Sequence, residues 1–270
     1  MHYAAPMEAE EARRRIAEFA RWDYEFEFDG GLSTPSSDRG RINRQTQRYA
    51  YFFKRLLDLN GGSLSGLRVL DLGCNAGYFS LAAIDAGARF VHGVDIDADF
   101  IEQARLVFEL NGVERQRYRF DRGDALERAF DSDFDVVLCL GLLDHVDRPV
   151  ELFDAIAASG AELVVIDTEV SRARSSLFEV SRLYHARNVV GDGLVLIPSR
   201  QAVGELAERH GFKTVALELN VSDFTGMSDY RRKRRCAFIG SRRIELGALP
   251  AERQTRTPWW IRDPKALTEV

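Results

Sequence analysis

The chain has 270 residues, 45% of them apolar and 29% charged, and a net charge of −5 from 37 basic and 42 acidic side chains. That composition fits one large globular domain or two small ones, and a mildly acidic surface gives no general attraction for nucleic acid or an anionic membrane. Apolar runs such as residues 136–140 fall far short of the roughly 20 residues that a bilayer span needs, and the charged start of the chain lacks the apolar core of a secretory signal.

Residues 8–20 read as a polar helix with Ile16, Phe19 and Ala20 on one face. Trp22, Tyr24, Phe26 and Phe28 then alternate with polar residues, which is a strand period and predicts an extended cover packed by its aromatic face. Residues 29–40 are rich in breakers and read as a loop, and residues 41–59 as a helix with Tyr49, Phe52, Phe53 and Leu56 on one side. From residue 67 strands alternate with helices. Strands are expected within 68–73, 90–97, 118–125, 133–146 and 161–168, and helices over 78–86, 99–111 and 149–159. This alternation predicts an α/β, Rossmann-like, mostly parallel sheet with helices on both faces.

Residues 171–198 form a connection longer than the usual length of about 4–6 residues, and within it 175–188 reads as a helix with Leu177, Val180, Ser181 and Tyr184 in line. Ser199 is placed to cap a helix that Gly211 ends. Strands at 213–219 and 236–241 have no helix between them, so they should form an antiparallel pair at the sheet edge. Residues 257–270 read as an irregular tail. The chain therefore divides into an N-terminal lid segment (1–66), a core (67–243) whose insertion 171–198 covers the acceptor pocket, and a tail (244–270). Cys74, Cys139 and Cys236 are odd in number, far apart and without a CxxC spacing, which argues against a disulfide framework or structural zinc and fits a reducing cytoplasm.

The chemistry is concentrated in VLDLGCNAGYF, residues 69–79, where a strand ends in Asp71 and a glycine turn opens a helix. Small residues there let a ligand approach backbone amides at a helix N-terminus. No GK[ST] follows, and Gly73 and Gly77 are four apart, so neither a P-loop nor a dinucleotide fingerprint is present. Asp95 ends the next strand 22 residues beyond Gly73, the distance at which an acid can accept hydrogen bonds from ribose hydroxyls. Its alternative role, a helix cap, is open to Asp97 or Asp99 as well. Gly123-Asp124-Ala125 and the run 133–146 complete a set of four motifs in order at strand ends.

Together these segments, over about residues 67–242, resemble the class I S-adenosylmethionine-dependent methyltransferases. The resemblance implies a seven-stranded sheet with an antiparallel last strand, and S-adenosyl-L-methionine as cofactor. It implies Asp71, Gly73, Asn75 and Gly77 around the methionine part, Asp95 at the ribose and Ile96 against the adenine. Asp124 and Ala125 would sit at the adenine edge, and Leu140 would offer backbone to the methionine amino group. Asn75 stands where a glycine is usual. GCNAGYF, LGLLDHVDRP and LIPSRQAVGELAERHGF are similar, more narrowly, to the tRNA wobble-uridine carboxymethyltransferase branch. Asp144 replaces a tyrosine frequent in that branch, and its long N-terminal domain is not evident.

An acceptor hydroxyl gains from a base near neutral pH, which makes histidine the first choice. His145 lies just past the fourth strand of the core and is the candidate base, with packing or helix capping as its other role. His185, in the insertion, could reach in from a lid. Asp144, Asp147, Asp167 and Glu169 fall near strand ends and could suit magnesium, but they lack a ligand spacing, so no metal is assigned. RRKRR, residues 231–235, reads as a solvated turn that also guards a sheet edge, with phosphate or RNA backbone as the functional alternative. Trp22, Tyr24, Tyr49 and Tyr184 could stack on an acceptor ring or pack in the core. The expected activity is methyl transfer to a small molecule, at a hydroxyl of a glycoside or natural product. The alternatives are a tRNA wobble-uridine modifying enzyme and a noncatalytic S-adenosylmethionine-binding scaffold.

Overall fold

Where the sequence alternates apolar runs with amphipathic ones, the chain builds a sheet with helices on both sides. The computed structural model describes residues 8–35, 39–126, 133–182, 194–219, 221–243 and 246. Helix α1 (Ala9–Ala17) buries Ala12 and Ile16. The aromatic segment that follows is strand only at β1 (Glu27–Phe28), which pairs with β2 (Leu32–Ser33). The period of two is real, but side chains take the hydrogen bonds that a neighbouring strand would take. Thr34 Oγ1 accepts from Phe26 N at 2.9 Å and donates to the Tyr24 carbonyl at 3.2 Å. The Gln45 amide brackets Glu25 N and O at 3.1 and 2.8 Å. With its backbone satisfied this way, the segment needs no long ladder.

The next helix runs without a break through α2 (Arg39–Arg48), a π-turn (Tyr49–Phe53) and α3 (Lys54–Leu59). Its apolar half is buried as expected. Its first half also buries Asn43, Gln45, Thr46, Gln47 and Arg48, a polar face that composition does not announce.

The core follows in the order β3 (Arg68–Leu72), α4 (Tyr78–Asp85), β4 (Phe90–Asp95), α5 (Ala98–Leu110), β5 (Tyr118–Arg122), β6 (Val136–Leu140), α6 (Pro149–Ala158) and β7 (Leu163–Glu169). Of the expected helix of residues 175–188, the described part, 175–182, is not helical, and 183–188 lie outside the described residues. Phe178–Arg182 is a strand, β8, paired antiparallel with β9 (Leu194–Pro198). The backbone groups of 178–182 pair with β9, whose apolar residues 194–197 supply the partner strand, and Leu177 and Val180 remain exposed. Helix α7 (Arg200–Arg209), strand β10 (Lys213–Ala216), helix α8 (Ser228–Arg231) and strand β11 (Arg235–Ser241) complete the described chain. The main sheet has the order β10-β11-β7-β6-β3-β4-β5, with β11 antiparallel to both neighbours and the other pairings parallel. The anticipated seven-stranded sheet with an antiparallel end is therefore present. Residues 257–270 lie outside the described residues.

β3, β6 and β7 sit at the centre and are buried on both faces, as continuous apolar runs require. Their carboxyl ends, with that of β4, present Asp71, Asp95, Leu140 and Asp167 on one edge. One close approach fixes the inner strands. A Cβ at Gly93 on β4 would lie 2.5 Å from the Phe120 ring and 2.9 Å from Cys74 Sγ. Gly93→Ala should therefore lower stability by about 1–3 kcal/mol through overpacking. A thermal melt should show a loss of roughly 2–4 °C for each kcal/mol; an unchanged melting temperature would show that the site has room.

Candidate functional site

The turn between β3 and α4 is shaped by three residues in the left-handed region: Gly73 at φ +71°, Asn75 at +50° and Gly77 at +79°. Asparagine is one of the few side chains that tolerates this conformation. Asn75 Oδ1 accepts from Ala76 N at 2.6 Å, while its Nδ2 lies 3.4 Å from Asp23 Oδ2. At Gly77 a Cβ would lie 3.2 Å from Ala104 and 3.4 Å from the Phe108 and Phe120 rings, so close packing also demands glycine. Gly77, the N-cap of α4, supplies no side-chain cap, and the Asp71 carboxylate takes the Ser80 amide of the first turn, so part of the helix start is left to face a ligand. Asp71, buried beneath the turn, accepts from Ser80 Oγ at 2.6 Å. Burial raises its carboxyl to about 7, a rise that the Ser80 hydrogen bond opposes and the charge of Asp95 reinforces.

Asp95 accepts from Asn75 N at 2.8 Å through one oxygen and from Asp97 N at 3.0 Å through the other. The Ile96 amide also hydrogen-bonds this carboxylate, which with about four lone-pair sites still has room for a further donor. Burial raises its pKa, backbone hydrogen bonds oppose that, and no cation is among the main influences. Asp97 accepts from Asp99 N and is the cap of α5, so Asp95 is not needed as a cap. Beside it Ile96 is 39% exposed, an apolar surface at the mouth of the turn. Asp124 lies past β5, where it accepts from Leu126 N at 2.9 Å and faces Arg148 at 3.4 Å. Ala125 is buried in the apolar cluster on one side of the sheet. Leu140 ends β6 opposite Asp167.

Past Gly141 the chain turns through Leu143–His145. His145 Nε2 lies 3.6 Å from Asp144 Oδ2, and the ring is about one third exposed. Asp144 is buried and accepts from Thr168 Oγ1 at 3.0 Å. Behind this pair lies a group of charges that sequence reasoning did not assemble. Asp167 Oδ2 accepts from Arg48 at 2.9 Å and from Arg235 Nε at 3.0 Å, and Oδ1 accepts from the Tyr230 hydroxyl at 2.7 Å. Burial would raise the Asp167 carboxyl, but Arg235 and Arg48 outweigh it and hold it below the usual range. The second guanidinium nitrogen of Arg235 also stands 3.7 Å from Asp144.

The run 231–235 is therefore not a uniform solvated turn. Arg231 to Lys233 and Arg234 are exposed, while Arg235 is the buried start of β11. Asp147 is mostly exposed and faces Arg148. The strand-end acids do not converge: among the described residues no three His, Cys, Asp or Glu side chains form a metal-binding group. Trp22 and Tyr49 belong to the core, and Tyr24 stacks on Tyr78 with ring centroids 5.1 Å apart. Tyr184 and His185 lie outside the described residues. Two signals could have exposed the missed cluster. One is the polar run Asn43–Arg48 on a helix that should be apolar, and the other is the acid Asp167 inside an apolar strand.

The residues fit S-adenosylmethionine on these observations. The helix start has no side-chain cap at Gly77, Asp95 has room for a further donor and no ion-paired cation among the described residues, and exposed Ile96 offers an apolar face. The Asp71 carboxyl gives the turn a pH signature. A carboxyl raised to about 7 when folded, against 3.8 when unfolded, leaves the native state holding the extra proton between those values. Its stability contribution is complete at low pH and is lost as pH rises towards 7. Asp71→Asn keeps an acceptor for Ser80 and cannot ionise. Its melting temperature relative to the native chain should therefore rise between about pH 5 and pH 8, by the equivalent of at least ~1 kcal/mol. Parallel pH curves for the two proteins would assign the carboxyl an ordinary pKa.

Residues 69–174 match a methyltransferase domain model. The chain is 36% identical over 114 residues to a ubiquinone biosynthesis O-methyltransferase of Neisseria meningitidis, covering 39% of this chain and 48% of the relative. It is 30% identical over 159 residues to a tRNA U34 carboxymethyltransferase of Idiomarina loihiensis, covering 57% of this chain and 48% of that one. It thus spans about half the length of these curated relatives or less. Among solved structures, the N-terminal domain of EvdMO1 with SAH bound superimposes with a TM-score of 0.68 at 22% identity, over 87% of this chain and 98% of that one.

Proposed function

We propose that this chain, whose residues 69–174 match a methyltransferase domain model, is a class I S-adenosylmethionine-dependent methyltransferase that methylates a hydroxyl of a small molecule such as a glycoside or natural product. The observation that carries this reading is the His145–Asp144 pair, at 3.6 Å, on the turn that follows β6. Ubiquinone biosynthesis O-methyltransferases among the relatives favour oxygen as the methylated atom. The tRNA relative supports a nucleic-acid acceptor instead, against which stands the net charge of −5.

In this reading Gly73, Asn75 and Gly77 give backbone to the methionine part of S-adenosylmethionine, with Asp71 beneath and the Leu140 backbone beside its amino group. Asp95 takes the ribose hydroxyls, Ile96 lies against the adenine, and Asp124 and Ala125 border its edge. When bound, S-adenosylmethionine supplies a methyl group already activated on a sulfonium, so the protein's work is positioning and proton management. His145 takes the acceptor proton on Nδ1, the ring nitrogen turned away from Asp144. The charge that forms on the imidazole is stabilised by the Asp144 carboxylate at Nε2. Thr168 and Arg235 hold that carboxylate in place.

Two measurements test the reading. Asp95→Ala should weaken S-adenosylmethionine binding by about 1.5–3 kcal/mol, as for hydrogen bonds to a charged group; unchanged affinity by calorimetry would remove Asp95 from the site. His145→Gln should keep cofactor affinity and lose turnover by about 10²–10⁴-fold. Near-native turnover in His145→Gln would leave the ring a packing role, and a chain that binds cofactor but turns over no acceptor would be a scaffold.

A further inference from the structure

One cleft on the described surface has no place in the cofactor reading. It encloses about 510 Å³ and is lined by Ser171, Arg172, Ala173 and Arg174 after β7, Arg200 and Gln201 at the start of α7, and Arg232 and Lys233 before β11. Five of these eight side chains are cations and none is an acid. In a chain of net charge −5, that is a local concentration of one sign. Several arginines elsewhere on the described surface have a carboxylate: Arg14, Arg41, Arg44, Arg105 and Arg148 are each ion-paired. Among the described residues none of the five cleft cations has such a partner. Arg172 donates only to the Arg232 carbonyl, at 3.3 Å. Like charges so gathered repel one another through the solvent, and a bound anion relieves that repulsion.

The local backbone gathers them. Ser171 N donates to the Pro198 carbonyl at 2.8 Å and Val170 N to the Arg234 carbonyl at 2.7 Å, which joins three separate segments at one corner. Lys233 takes a left-handed φ of +56°, an uncommon conformation for a residue of its kind. The corner adjoins the candidate base. Strand β9, which leads into α7, packs against the turn Leu143–His145, and so does β7, which leads into Ser171. A group held in the cleft thus lies on the same sheet edge as His145.

We propose that this cleft binds a phosphate or diphosphate carried by the methyl acceptor. The proposal rests on the methyltransferase reading and deepens it: the acceptor is a phosphorylated small molecule, such as a sugar phosphate or a nucleotide-linked sugar. Guanidinium groups suit phosphate oxygens because they donate in pairs. The volume falls within the range for small-ligand pockets, about 300–1,000 Å³. A polynucleotide shares the phosphate chemistry but would need a long basic track, and the described cations end at one corner.

The test is calorimetric titration of inorganic pyrophosphate into the full chain at constant ionic strength, with S-adenosylhomocysteine titrated separately. Pyrophosphate should bind saturably at one site, in the presence or absence of S-adenosylhomocysteine. Arg174→Ser combined with Lys233→Asn, which asparagine's tolerance of positive φ permits, should weaken it roughly tenfold or more, about 1.4 kcal/mol or more. Affinity for S-adenosylhomocysteine should not change, which also shows that the variant is folded. The proposal is overturned if pyrophosphate does not saturate, if the variant binds it as well as the native chain, or if it displaces S-adenosylhomocysteine. It is equally overturned if unfractionated tRNA binds with a steep salt dependence that the variant abolishes and pyrophosphate does not compete, since the cleft would then serve a nucleic acid. Failure of S-adenosylhomocysteine to bind the native chain would instead count against the methyltransferase reading, whatever pyrophosphate does.

Discussion

Asp167 is the point on which the architecture turns. It is a carboxylate with no exposed surface in the middle of the sheet, and an ion in that position is tolerated only with full compensation. Compensation comes from three distant parts of the chain: Arg48 from the N-terminal helix, Tyr230 from α8 and Arg235 from β11. Removing any one would leave buried charge or a buried hydroxyl without its partner, so the pieces are obliged to assemble together. Arg44 adds a bidentate ion pair to Asp229 at 2.8 and 2.7 Å, and Asn43 donates to the carbonyls of Asp223 and Thr225. The helix before the core is thereby fastened to the segment that precedes β11.

The same cluster divides the site electrostatically. On the side of β3 and β4, Asp71 and Asp95 are carboxylates whose neighbours are amides and a hydroxyl, and burial raises both. Such a pair favours a ligand that brings positive charge. On the side of β7 and β11, the guanidiniums are consumed by Asp167 and lean towards Asp144. His145 lies beside Asp144, and its charge also reaches Glu169. Glu169, at the end of β7, is raised by burial and by Asp144, with Arg235 opposing.

The parts of this arrangement legible in the sequence are those set by local rules. Hydrophobic runs ending in Asp71 and Asp95, breakers at Gly73 and Gly77, and Ser199 before an amphipathic stretch each give strand, turn or cap from a few neighbouring residues. Where the reading failed, contacts distant in sequence decided the outcome. Trp22 to Phe28 has strand alternation but finds Thr34 and Gln45 in place of a partner strand. Residues 177–181 have helical spacing, but 178–182 pair antiparallel with β9 instead. Arg235 shares a run with four exposed neighbours, and nothing within RRKRR singles it out. Its burial follows from the register that places it opposite Glu169 and beside Asp167.

Asn75 shows how one residue can join the two levels. A glycine would serve the turn's φ at no steric cost. Asparagine serves it too, and adds an amide that Asp23 approaches at 3.4 Å. Asp23 is itself held by Arg41 at 2.8 Å, and Tyr24, the next residue, stacks on Tyr78 at the first turn of α4. The N-terminal segment therefore rests directly on the turn, held by a polar contact on one side and an aromatic one on the other. Each contact alone is weak at a partly exposed site. Together they make the cover's position depend on the geometry of the turn beneath it.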